Sequence, residues 1–164
     1  MLLCFVENAM KLFFVFTGKT SEKAIAGLLA DYKNRISRYV TVDAHEIKVS
    51  NEKNESIPGI KDKEQKEQLK QISERDFLVL LDEKGKEISS VEFAVQLEKW
   101  FSASGKRLVF MTGGAYGFGD GILKRANVKL SFSKFTFTHQ FIRVLLLEQV
   151  YRAFTIINNQ KYHH

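Results

Sequence analysis

A single cysteine, Cys4, denies this 164-residue chain a disulfide framework and any cysteine-rich metal site. A single proline, Pro58, leaves its helices and strands almost free of breakers. Long apolar runs are missing too. The strongest stretches, Phe141-Ile142 and Val144 to Leu147, are interrupted by Arg143 and Glu148, too short to span a bilayer as a helix. No internal repeat or low-complexity tract occurs. What is present is an ordinary globular balance, 45% hydrophobic and 27% charged, which excludes disordered, collagen-like and coiled-coil classes. The length suits one domain with a real core, and the lone thiol points to a cytoplasmic protein.

The net charge of +6 is unevenly spread. Residues 120–164 carry seven basic side chains (Lys124, Arg125, Lys129, Lys134, Arg143, Arg152, Lys161) against Asp120 and Glu148, and three of the four histidines. A basic end bearing histidines is the footprint of a polyanion partner, chiefly nucleic acid, although a solubilising surface would look the same. At the other end, residues 1–9 form a short apolar run without a basic flank, ahead of a second methionine, Met10. They read as a leader or an upstream start, with a single domain over residues 10–164.

The pattern from Met10 onward alternates strands with helices. Lys11 to Thr17 is an apolar strand buried on both faces, and Ser21 is placed to cap a helix reaching about Tyr39. Val40 to Val49 reads as a strand, Asn51 to Gly59 as a mobile loop around Pro58, and Lys61 to Glu74 as a charged helix. Phe77 to Leu81 is a buried strand ended by a turn at Asp82 to Gly85. A helix capped at Ser89-Ser90 follows, then a strand over Leu108 to Met111, a short helix from Asp120 to Asn127, a strand from Val128 to Phe132 and a long helix from His139 to Ile157. Such alternation predicts an α/β fold, a mostly parallel sheet with helices on both faces.

Parallel sheets bind ligands beyond the carboxyl ends of their strands. Two glycine-bearing loops lie there. Thr17-Gly18-Lys19-Thr20 resembles the end of a phosphate-binding loop, but the glycine that loop requires is replaced by Phe13, so a plain strand-to-helix turn explains it better. Thr112 to Gly121 carries glycines at 113, 114, 117, 119 and 121, a density that lets a ligand approach the main chain. Its spacing fails the dinucleotide fingerprint at Ile122.

A third segment, Leu130 to Arg143, interleaves Phe132, Phe135 and Phe137 with Ser131, Ser133, Thr136 and Thr138. It offers apolar walls and main-chain hydrogen bonds to an aromatic ligand with polar edges, such as adenine, or it is a strand end packed on the core. His139 and Arg143 stand four apart and are expected to share one face of the last helix. A cation at a helix N-terminus opposes the dipole, which hints at an anionic ligand near Arg143. The last helix is apolar on more than one face and must be covered all round, within the fold or by a second subunit.

The run Ser131-Phe-Ser-Lys134, the pair His139-Gln140, the stretch Arg143 to Phe154 and the closing Tyr162-His163 together resemble the ribosomal RNA large-subunit pseudouridine N3-methyltransferase family, of the SPOUT class of knotted methyltransferases. The resemblance covers residues 10–164 and is strongest from Leu108 onward. It implies a C-terminal trefoil knot, a homodimer, and S-adenosyl-L-methionine as methyl donor. By position it lays the cofactor contacts on Leu81, Gly113 and the run Phe132, Ser133, Lys134, Phe135, Thr136 and Phe137. The family often carries proline where Thr138 stands, and other residues at Ala115-Tyr116, which bears on loop shape.

The resemblance also implies a substrate, large-subunit rRNA within the assembled ribosome, whose phosphates the basic end would meet. Methylation at an imide nitrogen needs alignment, a proton acceptor and a counter-charge for the flanking base oxygens. Arg143, Tyr162 and His163 are the candidates for target positioning and charge stabilisation, with His139 or His163 as proton acceptor; no metal is implied. Two other classes stay open: a phosphotransferase built on Gly18-Lys19-Thr20, and a non-catalytic ribosome- or RNA-binding factor using the basic end alone.

Overall fold

The computed structural model describes residues 11–50 and 54–162. The elements are β1 (Lys11–Thr17), α1 (Lys23–Ile36), β2 (Thr41–Ile47), α2 (Ile57–Lys70), β3 (Phe77–Glu87), α3 (Ser90–Ala103), β4 (Arg107–Thr112), α4 (Asp120–Arg125), β5 (Val128–Ser131) and α5 (Phe141–Ile157). All strand pairs are parallel, in the order β2-β1-β4-β3-β5. This is the α/β arrangement that the alternation of strands and helices predicts.

Alternating side chains feed two cores. Leu12, Phe14 and Phe16 of β1 join Val79, Leu81, Leu108, Phe110 and Leu130 on one face, under α1, α3 and α5. Phe14 stacks on Phe110 at 5.9 Å, and Trp100 of α3 meets the same ring edge-on. Val15, Leu78, Leu80, Val109 and Met111 form the smaller second core with Phe118 and Ile122, on the face that carries α4. Continuous apolar strands are what a sheet buried on both faces requires. Helix α5 lies between α1 and α3, where Tyr39 stacks on Phe154 at 5.3 Å and Phe101 closes from the other side. Most of the apolar excess in α5 is thereby buried within the chain.

The helix ends differ from expectation in instructive ways. Helix α3 has the capping box expected at Ser89, with Glu92 reaching back to the Ser89 amide. Helix α1 is not capped by Ser21. Its N-cap residue is Glu22, and the Ser21 and Glu22 N–H groups donate instead to Oε1 of Gln140, whose Nε2 donates to Ser21 Oγ. The chain entering the first helix is thus tied to the residue that opens the last. Helix α2 starts earlier than expected, at Ile57, with Ser56 as N-cap accepting from the Gly59 N–H. Pro58 sits in its first turn, where a missing N–H costs nothing, so the segment around it is helix and not loop. Residues 51–53, like the N-terminal segment 1–10 and its proposed leader, lie outside the described residues.

Strand β3 does not end at Leu81. It resumes beyond the expected turn, and Leu81 and Lys86 both pair with Leu130 while residues 82–85 are extruded between them. Gly85 makes this possible: a Cβ there would stand 2.5 Å from the Leu130 carbonyl carbon and 2.6 Å from its nitrogen. Backbone cannot yield as a side chain tip can. Gly85→Ala is therefore expected to lower stability by about 3 kcal/mol or to block folding, as overpacking against main chain does. The control Gly27→Ala, in α1 with open space around it, should raise stability by about 0.5–1 kcal/mol. Urea denaturation of the two variants distinguishes the effects by sign.

Candidate functional site at the carboxyl edge of the sheet

The strand register brings three loops together. Leu81 pairs with Thr112 on one side and with Leu130 on the other, so the segments leaving β4 and β5 emerge beside the bulge that follows Leu81 in β3. These hold Gly113, Leu81 and Phe132 to Phe137, every residue that the resemblance assigned to the cofactor. Leu81 is 9% exposed at the rim of the core.

The glycine loop is a tight turn. Gly114 and Gly117 form an antiparallel bridge, the Gly117 N–H donates to the Gly114 carbonyl at 3.2 Å, and Gly117 has φ +76°. A Cβ on Gly113 would lie 3.2 Å from Gly117 backbone, and one on Gly114 would lie 2.3 Å from the Glu64 carboxylate. Glycine is needed here for space as much as for dihedral freedom.

In the third loop, Ser131 Oγ donates to the Ser133 carbonyl and the Phe135 N–H donates to Ser133 Oγ. Phe132 packs edge-on against Phe93, and Phe137 tilts against Phe141. Phe135 is 81% exposed, an aromatic ring with no place in the core. The segment is therefore a hydrogen-bonded loop with one presented ring; the alternative reading as a core-packed strand end holds only for Phe132.

The expected shared face of His139 and Arg143 is corrected. His139 is exposed on the turn before α5, whereas Arg143 is wholly buried. Its Nη1 donates to Thr20 Oγ1 and its Nη2 to the Thr17 carbonyl, both at 2.7 Å, with the guanidinium over the Phe16 ring. The anion that its awkward place at a helix N-terminus hinted at is the protein's own: Glu46 Oε1, at 3.8 Å from Nη1, which also accepts from the Thr20 N–H. Burial pulls the guanidinium below its ordinary pKa and Glu46 counters this. Thr17 to Thr20 is thus a turn clamped by Arg143, and not a phosphate cradle.

Sequence reasoning read Lys61 to Glu74 as a charged helix but missed what α2 contributes to the site. Its buried positions are Ile60, Glu64 and Gln68, four residues apart and mostly polar. Gln65 Oε1 accepts from the Gly121 and Ile122 N–H groups, and Gln68 Nε2 donates to Thr17 Oγ1, which donates to the Thr112 carbonyl. The signal was available: on a helix with so few apolar residues, the side facing the sheet must be made by amides and carboxyls.

Tyr162 stands elsewhere. It packs edge-on against Tyr151 at 4.8 Å, lies under Arg152, and its hydroxyl donates to Glu148 at 3.4 Å, all on the outer side of α5. None of its contacts is with the three carboxyl-edge loops. His163 lies outside the described residues. Burial, followed by the neighbouring Tyr32 hydroxyl, pushes the Tyr162 phenol up to about 12. The neutral phenol is favoured, so its contribution to stability is complete below the ordinary tyrosine range near 10 and is lost as pH rises towards 12. An ultraviolet titration should show a late-ionising phenol that disappears in Tyr162→Phe. At neutral pH this residue donates a hydrogen bond and is no base.

Comparison with known proteins bears on what this site serves. The family described as "Predicted SPOUT methyltransferase" matches residues 10–163. The chain is 45% identical over 156 residues to the "Ribosomal RNA large subunit methyltransferase H" of Parabacteroides distasonis, covering 94% of this chain and 99% of the relative. It is 41% identical over 155 residues to the protein of that name from Geotalea daltonii, covering 94% and 100%. Among solved structures, a probable methylase family protein from Haemophilus influenzae aligns with a TM-score of 0.50 at 10% identity, over 96% of this chain and 71% of the other, a likeness of fold alone. With the match running from the residue before β1 to the one after Tyr162, this chain belongs to the SPOUT methyltransferase family.

Proposed function

We propose that the protein is an S-adenosyl-L-methionine-dependent methyltransferase that acts on N3 of a pseudouridine in large-subunit ribosomal RNA, within the assembled ribosome and in the cytoplasm. The observation that carries the reading is the conjunction of Leu81, Gly113 and residues 132–137 at one edge of the sheet. Relatives named as large-subunit rRNA methyltransferases, matched over nearly their whole length, supply the substrate class. We further infer that residues 10–164 form one domain with a C-terminal trefoil knot, a reading supported by the family match over residues 10–163.

The donor set suits the cofactor. The missing Cβ of Gly113 lets the turn close on Gly117 and leaves main chain at the loop surface, main-chain groups of residues 132–137 can meet an adenine edge, and the exposed Phe135 ring supplies an apolar cover. Such a cofactor brings an electrophilic methyl group on a sulfonium. The chain's own work is to hold the acceptor nitrogen in line and to take up its proton. His139 is the proposed proton acceptor, since it is exposed on the same segment as the cofactor contacts. Arg143, being buried, acts through the Thr17–Thr20 turn as a positioning residue.

Tyr162 and His163 are proposed to position the target base for a second subunit. Tyr162 of one subunit packs on its own α5, away from its own carboxyl edge, so a composite site is met by a homodimer. Leu28 and Phe141, 44% and 45% exposed on α1 and α5, remain as apolar surface for that contact.

Calorimetric titration should give saturable binding of S-adenosylmethionine and none of ATP, with binding lost in Gly113→Val. ATP binding alone would overturn the proposal in favour of phosphotransfer. Methyl transfer to intact ribosomes should fail for Gly113→Val and for Tyr162→Ala separately, and return in part when the two variants are co-expressed as mixed dimers. Continued inactivity of the mixture would place tail and cofactor loops in one subunit.

A further inference from the structure

The seam between α2 and the glycine loop holds an unbalanced set of polar groups. Glu64 Oε2, Gln68 Oε1 and Thr112 Oγ1 are buried without a hydrogen-bond partner, in residues 7%, 0% and 1% exposed. They belong to one assembly. Gln68 and Thr112 both bond to Thr17, Glu64 lies one turn before Gln68, and the Glu64 carboxyl presses on Gly114, two residues beyond Thr112. Buried polar groups are seldom left unmatched, so the deficit needs an account.

Counting hydrogens provides one. The Thr17 hydroxyl hydrogen is spent on the Thr112 carbonyl, and the amide of Gln68 gives one to Thr17. Glu64 Oε2 and Gln68 Oε1 remain as acceptors that no donor meets, and the Thr112 hydroxyl bonds to neither. A buried carboxylate oxygen that no donor meets is costly to ionise, so the seam favours Glu64 as the neutral acid.

We propose that Glu64 is a positioning residue of the cofactor loop, bracing Gly114 as the neutral carboxylic acid. This inference rests on the reading of the glycine loop as a cofactor contact. Burial raises the Glu64 carboxyl above its ordinary range, and Lys61, a turn earlier on α2, opposes that only in part. Thr17 at the end of β1, Thr112 at the end of β4 and the glycines of the loop present uncharged groups, and α4 meets α2 through the Gly121 and Ile122 N–H groups on Gln65. Glu64 shapes the floor on which Gly113 and Gly117 meet, and does so from the side away from the reacting atoms. Because its folded-state pKa is raised, the brace is complete at low pH and is lost as pH rises through that value. An ionised Glu64 leaves the seam for water and releases the turn.

Amide resonances of Gly114 and Gly117 in the cofactor-free protein test this directly. In the wild type they should titrate with a midpoint above the ordinary glutamate value of about 4.3. The transition should vanish in Glu64→Gln, which keeps the neutral shape and supplies hydrogens, while Glu64→Ala should displace both resonances at every pH. Calorimetry at neutral pH adds the consequence: Glu64→Gln binds S-adenosylmethionine at least as tightly as wild type, and Glu64→Ala about tenfold more weakly, the factor that about 1.4 kcal/mol represents. A midpoint at the ordinary carboxylate value, a transition that persists in Glu64→Gln, or unchanged cofactor affinity in Glu64→Ala would overturn the proposal. Wild-type protein that binds no S-adenosylmethionine would instead overturn the cofactor reading, and the resonances would still decide the state of Glu64.

Discussion

A guanidinium without access to water ties the last helix to the first strand. Taking a charge out of solvent is costly, and Arg143 recovers that cost only because the Thr17 carbonyl, the Thr20 hydroxyl and the Glu46 carboxylate converge on it. Everything at the carboxyl edge inherits its position from this junction. Thr17 reaches Arg143 through its carbonyl and Thr112 and Gln68 through its hydroxyl, so α5, β1, β4 and α2 are linked by the polar atoms of one residue. Gln140 adds a second tie by accepting from the Ser21 and Glu22 amides that lead into α1. The loop between Ser131 and Gln140 is therefore held at both ends, by the β5–β3 ladder and by the junction.

Much of this was legible in the residues. The strands β1 and β4 and the first half of β3, Phe77 to Leu81, are nearly all apolar and could only be central, and the Ser89–Glu92 box announced α3. The three loops of the candidate site were also readable, since a parallel sheet leaves few places for glycine-rich and aromatic segments to lie.

What escaped was tertiary in origin. Ser21 has the chemistry of a cap, but its hydroxyl accepts from a glutamine 119 residues away and Glu22 takes the N-cap position. Spacing placed His139 beside Arg143, yet the helix begins two residues after His139, so the periodicity invoked does not extend to it. Pro58 marks a helix start as readily as a loop, and only the Ser56 cap distinguishes the two. The extrusion in β3 depends on a close backbone approach, and glycine in a sequence does not say what it approaches.

The distance along the chain between Thr17 and Arg143 has a bearing on how the protein comes into being. The partners are 126 residues apart, and the face of β1 made by Leu12, Phe14 and Phe16 shares its core with Leu146, Leu147 and Val150 of α5. During synthesis that face emerges early and its cover emerges late. At about 5–20 residues per second, the apolar side of the first strand waits several seconds or longer for the helix that shields it. Contacts so distant in sequence also slow the search that follows. A nascent chain of this design is one that chaperones would be expected to meet before its own last helix does.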